Sequence, residues 1–271
     1  MGIKYSYKNL EDFLISHPLT VDAELNDGWG AYFPVKGIEL DATILFADIS
    51  AFSRRTFEMS PIETLVFVNT FFSWITAEAI IGKPCIVDKY IGDEIMLLFA
   101  KEFGSEDPFK DALITARFMG ENDVHSYCPH IGIASGMVVA GYVGTPIKYS
   151  ASLFGKPVTL ASRCASIKPR DMCSSAIIFP SNLWKYESLD GIFKPTLHKG
   201  LNGEKIETQH SWQLLESREV EIKNMKNLLI REIINPTMWF SQTSAEERAK
   251  KSVKSLLKDN GFSKNRKINN K

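Results

Sequence analysis

Residues 45–53 read LFADISAFS, an apolar strand that runs into a lone aspartate and then into small and aromatic residues that open a helix. Asp48 is the only charge in that run. An aspartate at a strand end readily bonds its own backbone in a turn, and a metal ligand at the mouth of a nucleotide site fits the stretch equally well. The neighbouring segments decide. Upstream, β-branched and aromatic content makes residues 40–49 a strand. Downstream, SPIETLVFVNTFFSWITAEAII begins with Ser60 as N-cap, Pro61 in the first turn and Glu63 completing a capping box. Apolar residues at Ile62, Leu65, Val66, Phe72 and Ile75 predict the buried stripe of that helix, broken only by Asn69.

Further along, CIVDKYIGDEIMLLFA (residues 85–100) has two apolar runs on either side of Gly92-Asp93, a tight-turn pair, and predicts a β-hairpin. Asp107 and Pro108 cap a second helix. HIGIASGMVVAGYVG (130–144) predicts a second, glycine-punctuated hairpin, and GKPVTLASRCASI (155–167) a helix with Pro157 in its first turn. SSAIIFP, IFKPTLHKG and HSWQLLE complete the strands. This order predicts an α/β sandwich, with helices covering one face of a mostly antiparallel sheet.

Three regions emerge. Residues 1–39 are expected to form an N-terminal segment packed on the core by Trp29, Tyr32 and Phe33, residues 40–216 the main domain, and residues 217–271 a basic, partly helical extension. The extension has 13 Lys and Arg against 6 Asp and Glu, a solvated face or a contact for anionic lipid or a partner. Over all 271 residues the formal net charge is zero, which argues against a nucleic-acid binder. The four cysteines have no CxxC spacing, so neither a zinc site nor a disulfide framework is expected. No signal peptide and no transmembrane run is legible, which predicts a cytoplasmic protein.

Two carboxylates carry the chemistry. If the strands ending at Asp48 and beginning after Asp93 are neighbours, both acids converge on one sheet edge, the donor set that a hard divalent ion needs. The backbone N–H groups of Ala51, Phe52 and Ser53 then face phosphate oxygens at a helix start. Taken singly, Asp93 is what any Gly-Asp hairpin carries and Arg163 is what any solvated helix carries; their coincidence is the signal.

Together ATILFADISAFS, VDKYIGDEIMLLF and HIGIASGMVVAGYVG…KYSASLFGKPVTLASRCAS resemble the three signature segments of class III nucleotidyl cyclases, in order and in spacing. The resemblance implies a ferredoxin-like core working as a head-to-tail homodimer with composite active sites. It implies two divalent ions per site, Mn²⁺ or Mg²⁺, held by Asp48, the Ile49 carbonyl and Asp93. Arg163 falls on the transition-state arginine. Lys89 falls on the base-selecting position, where lysine usually marks adenylate cyclases, and Ser152 on its companion. Thr159 stands where the family has a ribose-orienting asparagine, and Lys199 near a lysine that reaches the terminal phosphates. Phe46 and Tyr90 fit core or pocket wall, and His130 core or strand edge.

GWGAYFP before the metal strand and SRRT…PIETLVFVN after it resemble the pyrimidine cyclases of the bacterial anti-phage system called Pycsar. That resemblance implies a cyclic pyrimidine nucleotide read by a downstream effector. An ammonium only donates, and uracil offers two carbonyl acceptors, so UTP is the favoured substrate. Adenylate cyclase, cytidylate cyclase and a non-catalytic cyclase-homology domain that binds nucleotide remain the alternatives.

Overall fold

The structure is a computed structural model that describes residues 7, 9–17, 37–121, 123, 125–145, 148–171, 173–199, 205–222, 227–236 and 243–259. Its central strand is β1 (Gly37–Asp48). Six consecutive β1 residues, Ala42 to Ala47, are buried, which requires cover on both faces. β1 lies between β3 (Glu94–Ala100) and β4 (His130–Thr145), antiparallel to both, with Ala47 opposite Ile95 and Asp48 opposite His130. β2 (Ile86–Ile91) forms the predicted hairpin with β3. On the other side β4 runs parallel to β6 (Cys173–Pro180), and β5 (Lys148–Phe154) pairs with its second half.

Helices cover both faces of this sheet, where the sequence pattern predicted one. Leu45, Ala47, Ile95, Leu97, Ile131 and Ile177 face α3 (Pro61–Ile75), α4 (Pro108–Glu121) and α6 (Ala245–Asp259). Ile44, Phe46, Met96, Leu98 and Ala134 face α1 (Leu10–Ser16) and α5 (Lys156–Ala165). Strands apolar at successive positions have no solvent face to leave open. At about 1.5–3 kcal/mol for each fully buried large apolar side chain, neither layer of helices is dispensable.

Three other expectations change. The capping box of α3 is as predicted, but the buried side chains are Val66, Phe67, Phe71, Trp74 and Ile75, while Ile62 and Leu65 are exposed. That helix is apolar around most of its circumference, so periodicity alone misplaced the face. Second, residues 130–145 are one 16-residue strand rather than a hairpin, and the chain reverses only between Thr145 and Lys148. Its Gly132 admits α5: a Cβ there would meet the Ala161 carbonyl oxygen at 2.0 Å and the Ala165 nitrogen at 2.2 Å. Third, the segment after residue 217 supplies strands as well as its predicted helix. β10 (Arg218–Val220) and β11 (Leu228–Pro236) extend the sheet from β6, and Ile230, Ile233 and Ile234 are buried. β9 (Gln213–Leu214) pairs with β11, while β7 (Thr196–Lys199) and β8 (Lys205–Thr208) form a separate two-stranded sheet. At the other end, α1 buries Leu10, Phe13 and Leu14; Trp29, Tyr32 and Phe33 lie outside the described residues.

Candidate active site

Asp48 ends β1 and Asp93 is the second residue of the turn between β2 and β3. Extending the β1–β3 register by one step sets Asp48 beside Glu94, and by two sets Ile49 beside Asp93. The Ile49 N–H hydrogen-bonds the Asp93 carboxylate. Burial, then repulsion from Asp93 and from Glu94, pushes the Asp48 carboxyl up to about 7, with backbone N–H groups of His130 and Asp48 acting the other way. Burial also raises Asp93 and Glu94. Asp48 Oδ1 is buried with no hydrogen-bond partner. A crowded, unpaired buried oxygen of this kind calls for a proton or a cation.

The residues after Asp48 turn sharply. Ala51 has φ +53°, a left-handed conformation unusual for a residue with a Cβ, and it caps the five-residue helix α2 (Phe52–Thr56). Of the three amides expected to face phosphate, that of Phe52 donates instead to the Ile49 carbonyl at 3.2 Å. That carbonyl keeps a second lone pair for an ion. Behind the turn lies Arg55, only 2 % exposed, which donates to the Ser50 hydroxyl at 3.2 Å and to the Ser126 carbonyl. The Asp123 carboxylate accepts from the N–H groups of Tyr127 and Cys128, and these bonds and the Arg55 charge work against the burial that raises its pKa. His130 is buried beside this group, and burial together with the Arg55 charge lowers its pKa.

Lys89 and Ser152 meet: the ammonium donates to the Ser152 hydroxyl at 2.9 Å across β2 and β5. Phe46 is core, packed beneath α5, whereas Tyr90 is half exposed and rests on Phe72. Thr159 and Arg163 lie one turn apart on the exposed face of α5. Among the described residues neither side chain has a hydrogen-bond or ionic partner. Lys199 lies on β7 in the separate small sheet, and its side chain is outside the described residues.

Comparison with known proteins bears on this arrangement. Residues 38–171 match the model of the adenylate and guanylate cyclase catalytic domain. This segment is similar to that catalytic domain. An adenylate cyclase of Anabaena cylindrica is 31% identical over 147 residues, 50% of this chain and 29% of that protein. An uncharacterised protein of Mycobacterium tuberculosis is 29% identical over 151 residues, 54% of this chain and 25% of its own length. The chain thus spans about a quarter of the length of such curated relatives. In fold, the guanylyl cyclase Cya2 superposes with TM-score 0.55 at 19% identity, covering 77% of this chain and 98% of its own. A bacterial light-regulated adenylyl cyclase gives 0.53 at 20% identity, covering 82% of this chain and 59% of its own.

The residues at this sheet edge fit a hard divalent cation. Asp48 and Asp93 offer oxygen only, the Ile49 carbonyl stands beside them, and the unpaired Oδ1 lacks a partner that an ion would supply. Among the described residues no group of three or more His, Cys, Asp or Glu side chains converges as a ready-made cage, so water and phosphate oxygens would complete the coordination. Two contributors escaped the sequence reading. Glu94 adds negative field, and its adjacency to Asp93 was the available signal. Arg55 gave none, since nothing in the local sequence separates it from Arg54.

Proposed function

We propose that this domain cyclises a nucleoside triphosphate to its 3′,5′-cyclic monophosphate, releasing pyrophosphate, with UTP the preferred substrate. The observation that carries the reading is the pair Asp48–Asp93, two crowded carboxylates on neighbouring strand ends with one oxygen unpaired. Two divalent ions, Mg²⁺ or Mn²⁺, would activate the ribose 3′-hydroxyl and neutralise the departing pyrophosphate. The protein's own part is positioning. Asp48, Asp93 and the Ile49 carbonyl hold the ions, and the amides of Ala51 and Ser53 face the phosphates. Arg163, with no partner among the described residues, is available to stabilise the charge that develops at the α-phosphate. Thr159, one turn away, steadies the ribose, and Lys199 serves the terminal phosphates.

The UTP preference rests on hydrogen-bond direction. Ser152 accepts from Lys89, so its own proton points elsewhere, and the pair presents donors. A uracil with two carbonyl acceptors suits two donors better than adenine or cytosine, each of which turns an amino group toward them. The homodimer with shared sites and the role in anti-phage defence, where an effector reads the product, follow from the resemblance of the catalytic and flanking segments.

Purified protein incubated with each of the four nucleoside triphosphates and Mn²⁺, with products identified by mass, tests the reading. Cyclic UMP is expected as the main product, and neither Asp48→Asn nor Asp93→Asn should form it. Conversion of ATP at least as efficient as that of UTP would make this an adenylate cyclase. No product from any triphosphate would leave a nucleotide-binding homology domain. In cells, protection from phage should vanish with the Asp48→Asn allele.

A further inference from the structure

The Asp88 carboxylate is buried, and burial raises its pKa; among the described residues the one polar group that meets it is the Lys89 ammonium, 3.3 Å from Oδ2. Consecutive residues of a strand normally point to opposite faces. Here the β2–β3 register slips between Val87 and Lys89, leaving Asp88 as the extra residue of a β-bulge. The bulge cancels the alternation and sets the carboxylate beside the ammonium that follows it. The Asp88 side chain is 1 % exposed, while that of Lys89 is 34 % exposed. One group is sealed in the protein; the other reaches outward.

Lysine by itself is a poor reader. Its ammonium is a point charge on a four-carbon stem, with three equivalent donors that rotate freely. In this chain two of the three directions are occupied: one N–H points to the Ser152 oxygen at 2.9 Å and the side toward Asp88 is held by opposite charge. One direction remains. We infer that Asp88 is a specificity-determining positioning residue, which, with Ser152, pins the Lys89 ammonium so that it offers a single proton to a single acceptor on the nucleotide base. The inference rests on the reading of Lys89 as base-facing. It also explains why a carboxylate is buried with Lys89 as its partner, since the neighbouring cation offsets its charge.

The test is the ratio of kcat/KM between nucleoside triphosphates for wild type, Asp88→Asn, Lys89→Met and the double variant, with kcat and KM separated and folding checked by thermal melting. Asp88→Asn keeps the shape and removes the charge. Losing one charged partner of the reading group should cut discrimination between the best and next-best base roughly tenfold, mainly through KM. In the Lys89→Met background the same change should add nothing, because Asp88 acts through Lys89. Asp88→Glu, which keeps the charge, should retain the wild-type ranking of nucleotides even if Asp88→Asn fails to fold. Unchanged discrimination in Asp88→Asn, or a ranking lost in folded Asp88→Glu, overturns the inference, as do effects that add in the double variant. A wild type that converts all four triphosphates equally, or none, overturns the base-facing reading of Lys89 and this inference with it; the wild-type measurement thereby separates the two failures.

Discussion

Asp48 shows how far a single residue can be read. It was legible as a lone charge in an apolar strand, and the structure adds the reason it matters. Its carboxyl sits near 7 instead of the ordinary 3.8, because burial and two neighbouring carboxylates disfavour the charged form. A folded-state value above the unfolded one means that its contribution to stability is fully present below about pH 4 and is lost as pH rises through about 7. The loss is at most about 4 kcal/mol for a shift of this size. A divalent ion bound to the carboxylate reverses it. Without metal, then, the melting temperature should fall between pH 5 and pH 8, and Mn²⁺ should raise it more at pH 8 than at pH 5. Asp48→Asn should flatten both responses. A metal-free melting temperature indifferent to pH would count against the assignment. Arg55 was not legible by the same means. In SRRT the two arginines look alike, yet Arg54 pairs with Glu246 on the surface while Arg55 is buried against Ser50 and Ser126. Nothing local distinguishes them; the difference comes from the loop at Asp123–Cys128, which only folding brings near.

Among the elements, α5 depends most on a glycine. It crosses β4 so closely at Gly132 that a methyl group there would collide with backbone atoms of Ala161 and Ala165, which no rotamer change relieves. Gly132→Ala should destabilise by about 1–3 kcal/mol. It should also lower kcat, because α5 carries Thr159 and Arg163 and must tilt to make room. Equal stability and equal kcat in the variant would show that the close approach has no bearing on the site. The glycines of residues 130–144 were read from the sequence as turns, although Gly132 serves packing inside a strand; spacing does not separate those uses. Where side-chain chemistry is local the reading held. Ser60 and Glu63 cap α3 reciprocally, as their spacing required, and the Gly92-Asp93 pair turns the β2–β3 hairpin. The buried face of α3 was misread because that helix is apolar nearly all round, and only its neighbours decide which side they cover.

Across the whole molecule, the sheet runs past the matched cyclase segment into β10 and β11, and α6 returns to pack on the side of α3 and α4. Sequence composition marked that region as basic, and the charge masked LLIREIIN (228–235), a strand in which Ile233 joins one core cluster and Ile230 and Ile234 another. The largest question at this scale is whether one chain holds a complete site. Met137, Val139, Val143 and Phe154 are exposed along β4 and β5, and Arg163 lacks a partner among the described residues, as expected of a chain that lends these groups to a second copy. In the proposed two-fold dimer each site takes Asp48 and Asp93 from one subunit and Arg163, Lys89 and Ser152 from the other. Asp93→Asn should inactivate both sites. Arg163→Ala should lower the rate of both by roughly 10²–10³, the usual effect of one lost transition-state donor. When the two variants are mixed and subunits exchange, a mixed dimer collects both lesions in one site and leaves the other intact. Random exchange makes about half of the dimers mixed, each with one good site of two, so about a quarter of wild-type activity should return. A monomer with a complete site has no route to that recovery. A mixture as inactive as its parts, with exchange confirmed by differently tagged subunits, would refute the shared site.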